Sequence, residues 1–180
     1  MLEPDFTTKW NAPIYLKIEN GTLICNSIVE GETLIFESVK GRLNNIYPAY
    51  RSFKSGIFKY WHIELIDDIN TYLICFPYTN AMFQKIILKL ITTETYEDIQ
   101  IIPYRDNTPY LRKEHSKARV YSNGKELDMM QIKLPSINCY KYGEKIRKDY
   151  SQRIAMIEEF INCILLKIQN ASTQAREQPT

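Results

Sequence analysis

Between Thr33 and Leu127 the hydrophobic period of the chain changes twice, from two to 3.6 and back to two. That order restricts the fold to strands interrupted by one helix. The run from Thr33 to Tyr47 reads as a long first strand, with Leu34 and Phe36, then Val39 and Leu43 after a change of parity, and Gly41 where a strand would bend or bulge. Ile57 to Ile66 sets Trp61, Ile63 and Leu65 on one face and Phe58, Tyr60, His62 and Glu64 on the other, because successive side chains alternate. After a turn at Asp67, Asp68 and Asn70, the segment Thr71 to Tyr78 is apolar on both parities. It is expected to be buried on two faces, or to reserve one for a ligand or partner. From Asn80 to Ile91 the residues Phe83, Ile86, Ile87, Leu90 and Ile91 form one stripe, a core-facing helix that Thr79 or Asn80 would cap. Strands at 98–104 and 117–122 follow, with Ile99, Ile101, Ala118 and Val120 inward, and Asn123-Gly124 turns the chain into 125–127.

Strand, strand, strand, helix, strand, strand is the order of a five-stranded Greek-key barrel of OB type. The expected fold is therefore mainly β with α, the barrel occupying residues 33–128. A β-sandwich containing one helix is the competing architecture. Residues 1–32 read as a tail and a β-hairpin, with strands at 14–18 and 22–28 joined by Glu19-Asn20-Gly21, whose Asn-Gly suits a tight turn. Residues 129–170 read as a linker and a long C-terminal amphipathic helix running from Lys145 to Ile168, and residues 171–180 as a polar frayed tail. On that helix Tyr150, Ile154, Ile157, Ile161, Ile164 and Ile168 recur at spacings of four and three. Such a seam either closes a homodimer or packs along the chain's own barrel.

A chain of 180 residues with 44% hydrophobic residues has the length of one domain with appendages and enough apolar material for a core. Its cysteines, Cys25, Cys75, Cys139 and Cys163, are widely spaced, and free thiols in a reducing compartment are the expectation. No apolar stretch approaches the roughly 20 residues of a membrane span, so the expected location is cytoplasmic.

Catalysis is not expected. His62 and His115 have no carboxylate or thiol at a spacing that a strand or helix would bring together, which also argues against a metal site. Six glycines are too few and too dispersed for a phosphate-cradling loop, and no cofactor is implied. The net charge of +2 is modest, but its distribution is uneven: residues 38–63 carry five basic residues and no acid. There Lys40, Arg42, Arg51, Lys54 and Lys59 lie among Tyr47, Tyr50, Phe53, Phe58 and Tyr60. A second cluster sets Arg112, Lys113, Lys117, Arg119 and Lys125 near Tyr110 and Tyr121. On the expected topology the first cluster spans the loop between strands one and two with its flanks and the second spans the loop between strands four and five, where OB barrels hold oligonucleotides. Cations there neutralise phosphates and rings stack on bases, so the expected partner is single-stranded DNA or RNA. The alternative is a protein-interaction module, such as a virion component or an inhibitor of a host protein, with the same aromatics as its interface core.

Three segments carry a resemblance to a known group: Phe36-Glu37-Ser38-Val39-Lys40-Gly41-Arg42-Leu43, Trp61-His62-Ile63-Glu64-Leu65 and Val120-Tyr121-Ser122-Asn123-Gly124-Lys125. Residues 33–128 resemble small OB-like proteins of phages and mobile elements of gut bacteria. The resemblance implies single-stranded DNA binding and assigns no individual residue a role. Many single-strand binding proteins end in an acidic tip that recruits partners, whereas Gln174 to Thr180 holds one Arg and one Glu.

Overall fold

The computed structural model describes residues 12–26, 33–106 and 115–177. Two strands open it, β1 (Ile14–Glu19) and β2 (Thr22–Asn26), joined as expected by Asn20 and Gly21 at φ 50° and 79°. There follow β3 (Thr33–Phe36), β4 (Val39–Phe53), β5 (Gly56–Ile66), β6 (Thr71–Pro77) and helix α1 (Ala81–Leu90). The chain continues through β7 (Ile99–Asp106), β8 (His115–Ser122) and β9 (Lys125–Glu126). It ends in the hairpin β10 (Asn138–Tyr142) and β11 (Lys145–Asp149) and the helix α2 (Ser151–Glu177). The cap of α1 is Asn80, whose side chain accepts from the Phe83 N–H at 2.9 Å.

Nine strands form one open sheet in the order β3-β2-β1-β6-β5-β4-β7-β8-β9, which replaces the expected closed five-stranded barrel. The closing edge is occupied. β1 pairs in parallel with β6, Ile14 against Tyr72 through Lys17 against Cys75, and β8 takes the short β9 on its free side. The hairpin turn nonetheless reaches across the opening: the Gly21 N–H donates to Ser116 Oγ at 3.0 Å. A Cβ at Gly21 would stand 2.5 Å from the Arg105 nitrogen, so the backbones touch without a strand ladder between them.

The segment from Thr33 to Tyr47 is two strands and not one: β3 ends at Phe36, and β4 begins at Val39 after Glu37 and Ser38. The parity change between Phe36 and Val39 marks that break. β4 then serves two neighbours, β7 along Val39 to Gly41 and β5 along Arg42 to Phe53. At the handover a Cβ on Gly41 would meet the Ile66 carbonyl oxygen at 2.7 Å, and a bulge follows between Leu43 and Asn45. Glycine answers that close approach of two backbones.

The stretch Lys145 to Asp149 is also corrected, from helix to strand. It pairs with Asn138 to Tyr142, and α2 starts only after Asp149, whose carboxylate accepts from the Ser151 N–H at 2.8 Å. Helical structure runs on to Glu177, beyond the expected boundary at residue 170 and into the segment expected to fray.

The core lies between the inner face of the sheet and the two helices. Leu16, Leu43, Ile46, Trp61, Ile63, Leu65, Ile74 and Phe76 supply the strands' share, and Phe83, Ile86, Ile87 and Leu90 that of α1. Trp61 stacks between Tyr78 and Phe83, at ring centroid distances of 5.1 and 5.2 Å, and its indole N–H donates to the Tyr78 carbonyl. From α2 the seam residues Ile157, Ile161 and Ile164 are buried in this same core, and Ile168 packs against it. Tyr150 and Ile154 are half-buried. Half of the seam, Ile157, Ile161 and Ile164, is thus packed within the chain's own core, one of the two arrangements its spacing allowed. Of the four thiols, all free, Cys25 is buried and Cys75 half-buried, while Cys139 and Cys163 are exposed.

Candidate nucleic-acid interface

Strand parity sorts the residues of β4, β5, β6 and β1 onto two faces. Those of one parity, Ile46, Trp61, Ile63, Ile74, Phe76 and Leu16 among them, enter the core. The other parity forms an outer face, and the register aligns it in rows. Tyr47 stands opposite His62, His62 opposite Cys75, and Cys75 opposite Lys17. In the next row Tyr15 lies opposite Leu73. Toward the far end of the hairpin come Tyr60, then Arg51 opposite Phe58, then Phe53. Thr71 to Tyr78 therefore has both of its parities used: Tyr72, Ile74 and Phe76 in the core, Leu73 buried outside it and Cys75 partly covered.

The Arg51 guanidinium lies 5.5 Å from the ring centroids of both Tyr15 and Tyr60 and donates to Cys75 Sγ at 3.2 Å. Phe53 and Phe58 meet edge to face at 5.6 Å. His62 is 5% exposed and is flanked by the edges of Tyr47 and Tyr15 at 5.3 and 6.1 Å. Neither of its ring nitrogens has a hydrogen-bond partner among the described residues. Burial, and secondarily the Arg51 charge, hold its pKa below the ordinary value of 6.5, so the ring is neutral. Burial pushes the Cys75 thiol and the Tyr47 phenol up. The outer rim is open to solvent, with Tyr15 48%, Phe53 51% and Phe58 44% exposed.

Of the two clusters expected to contact nucleic acid, Tyr47, Arg51, Phe53, Phe58 and Tyr60 come together on this face. Tyr50, Arg51 and Phe53 are strand residues of β4 and not loop residues, so the expected loop shrinks to a turn at Lys54 and Ser55. Tyr50 and Lys59 point to the opposite side. Lys59 Nζ donates to Tyr78 Oη at 2.6 Å, Tyr78 Oη donates to Glu158 Oε1 at 2.6 Å, and the three tie the hairpin to α2. Lys40 pairs with Asp98 at 3.0 Å, and Arg42 lies 4.0 Å from Glu97. Lys117, Arg119 and Tyr121 stand on the outer side of β8, beyond β4 and β7 in the sheet; Arg119 lies over Tyr104, and Tyr121 Oη donates to Glu126. Arg112 and Lys113 fall outside the described residues.

Three members of the face escaped the sequence reading as site residues: Tyr15, His62 and Cys75. His62 and Cys75 had a signal, the second parity of two apolar strands. Tyr15 had none, because its place depends on a parallel pairing with a distant strand.

No protein-family model, curated protein or solved structure matches this chain. Its chemistry is carried by the residues themselves. Among the described residues no three His, Cys, Asp or Glu side chains gather as a metal site would require, and no helix is long and apolar enough to cross a membrane.

Proposed function

We propose that the chain is a non-enzymatic single-stranded nucleic-acid-binding protein of phage or mobile-element type, which lays the strand across the outer face of β4, β5, β6 and β1. The observation that carries this reading is the alignment of Tyr15, Tyr47, Phe53, Phe58 and Tyr60 on one face with Arg51 between two of the rings. Every base has a π-face, so such a row takes bases with little regard to sequence, and Arg51 and Lys54 supply charge for the backbone. Along β4 the site from Tyr47 to Phe53 extends about 20 Å at the rise of a strand. Supporting an OB relationship is the neighbour order β6-β5-β4-β7-β8 with α1 between β6 and β7, the order of an OB barrel in which the closing β6–β8 pairing is not made and β6 pairs with β1 instead.

Because Lys40, Arg42 and Lys59 are engaged by acidic residues, binding is expected to depend on salt less steeply than the number of cations suggests. Oligonucleotide titrations across a salt series test this. Changing Arg51 and Lys54 to alanine should lower the slope of log affinity against log salt by about 0.7 for each phosphate that is no longer neutralised. Changing Phe53 and Tyr60 to alanine should leave the slope intact and weaken binding by about 1–3 kcal/mol per stacked base. A parent chain that binds neither single-stranded DNA nor RNA at low salt overturns the reading, as do two double variants that bind like the parent.

A protein-interaction module is the second reading. Its support is the far end of the β4–β5 hairpin, where Tyr50 and Ile57 are 69% and 72% exposed on the side away from the aromatic row. An apolar hairpin end exposed on two sides suits a protein surface that closes around it.

A further inference from the structure

Among the described residues the β10–β11 hairpin stands apart from the large sheet and pairs only with itself. Every residue from Asn138 to Lys148 is exposed, including Tyr140, Tyr142 and Ile146 at 51%, 66% and 70%. An isolated two-stranded hairpin is marginal in water, and among the described residues nothing packs on either face of this ribbon. Its base, however, is held: Arg153 of α2 donates twice to the Pro135 carbonyl, at 2.9 and 2.7 Å, bracketing the segment that precedes β10 and the helix that follows β11.

The register decides what the ribbon offers. Tyr140 stands opposite Arg147 and Tyr142 opposite Lys145 on one face. Lys141 stands opposite Ile146 and Cys139 opposite Lys148 on the other. Each face thus carries two cations, and none of the four forms an ion pair among the described residues; the Arg147 guanidinium lies 4.5 Å from the Tyr142 ring centroid. The acids are Glu144 in the turn and Asp149 at the base, where it accepts from the Ser151 N–H.

A protein surface, a bilayer or a single strand lying on this ribbon would meet one face and leave the other pair of cations in water. A duplex groove meets both, because its two walls are phosphate backbones. The major groove is about 12 Å wide and admits a two-stranded ribbon, and strands of five residues reach about 17 Å along it. We infer that the β10–β11 ribbon is a second nucleic-acid contact, an arm that enters the groove of double-stranded nucleic acid with Lys145 and Arg147 toward one wall and Lys141 and Lys148 toward the other. The arm stands on its own charge and exposure and not on the aromatic face. If both sites operate, the chain binds where single and double strands join.

The test uses the full chain, a fluorescently labelled duplex, a labelled single strand of the same sequence, and a duplex with a single-stranded overhang. Anisotropy titrations should show the parent binding the duplex. The variant K141A/K145A/R147A/K148A should lose duplex affinity by about tenfold or more at low salt, its salt slope falling by about 0.9 for each phosphate left without a cation. Single-strand affinity should stay within about twofold and the thermal midpoint should not move, because the four side chains are exposed. A second variant, Y140S/Y142S, should weaken duplex binding with the slope kept. The proposal is overturned if the parent does not bind the duplex, if the quadruple variant binds it like the parent, or if that variant loses duplex and single strand equally. It is also overturned if sedimentation finds a parent dimer that the variant dissociates, since the ribbon's partner is then a second copy. Duplex binding that depends on the arm, in a chain that binds no single strand, upholds the arm and removes the single-strand reading.

Discussion

At the residue scale the outer face turns on His62, a ring held between Tyr15 and Tyr47 with neither nitrogen satisfied among the described residues. A neutral imidazole in that position gives up its hydrogen bonds to water, and a protonated one would add a charge beside Arg51. The groups around it are Arg51, Tyr15, Tyr47 and Cys75, with Glu64 on the same face. Of these, Arg51 opposes protonation, and Glu64 is already engaged as the acceptor of the Asn44 amide at 3.1 Å. The folded-state pKa is lowered, so on acidification the unfolded chain takes up the proton first. The stability linked to His62 is complete above its ordinary value of 6.5 and is lost as the pH falls through the lower folded value. Urea unfolding at stepped pH should therefore show stability declining as the pH falls from about 6.5 to the lower folded value, by at most about 1.4 kcal/mol per pH unit from this group, and no further decline from it below that window. In the variant His62→Phe that share of the decline should vanish. An unchanged pH profile in the variant would assign the decline to other groups.

At the scale of elements, β4 is the strand on which the fold depends, because it passes from β7 to β5 within two consecutive residues. Gly41 sits at that handover with the Ile66 carbonyl where a side chain would be. A methyl group there presses on backbone and not on a flexible side chain, so the two half-sheets must part slightly. Gly41→Ala is expected to cost about 1–3 kcal/mol in denaturant unfolding, the usual range for overpacking. A cost below a few tenths of a kcal/mol would mean that the handover yields easily. The same strand carries Tyr47, Arg51 and Phe53, so a shift here should also weaken oligonucleotide binding with every binding side chain still present.

For the molecule as a whole, α2 is the structural question that the helix pattern left open, since a seam of isoleucines serves a partner chain or the helix's own sheet equally well. Ile157, Ile161 and Ile164 are at most 4% exposed within one chain, beside α1 and β4. Replacing Ile157 and Ile161 with Asp buries two charges without partners and should cost several kcal/mol of the fold itself. The thermal midpoint of the parent should not depend on protein concentration, and the double variant should unfold at lower temperature or fail to fold. A parent midpoint that rises with concentration would place a subunit interface in the transition after all.

Strand alternation, the helical stripe from Phe83 to Ile91, the Asn-Gly turns and a cap at Thr79 or Asn80 were legible in the sequence, because each is set by residues close together in the chain. Of the aromatic face, only the shared side of Phe58, Tyr60 and His62 followed from parity, since Tyr50, Arg51 and Phe53 were read as a loop and lie instead on β4. Lys145 to Asp149 was misread because it holds a single apolar residue, Ile146, and a helical pattern begins immediately after it, so the segment is too short to settle the period. The pairing of β1 with β6 was beyond local reading: periodicity tells which side of a strand is apolar, not which strand lies beside it. That one long-range choice kept the sheet open and brought Tyr15 to Arg51. The same holds for charge. Lys40, Arg42 and Lys59 read as free cations in the chain, and only the tertiary structure set Asp98, Glu97 and Glu158 against them, because an ion pair is fixed by distance in space and not by separation in sequence.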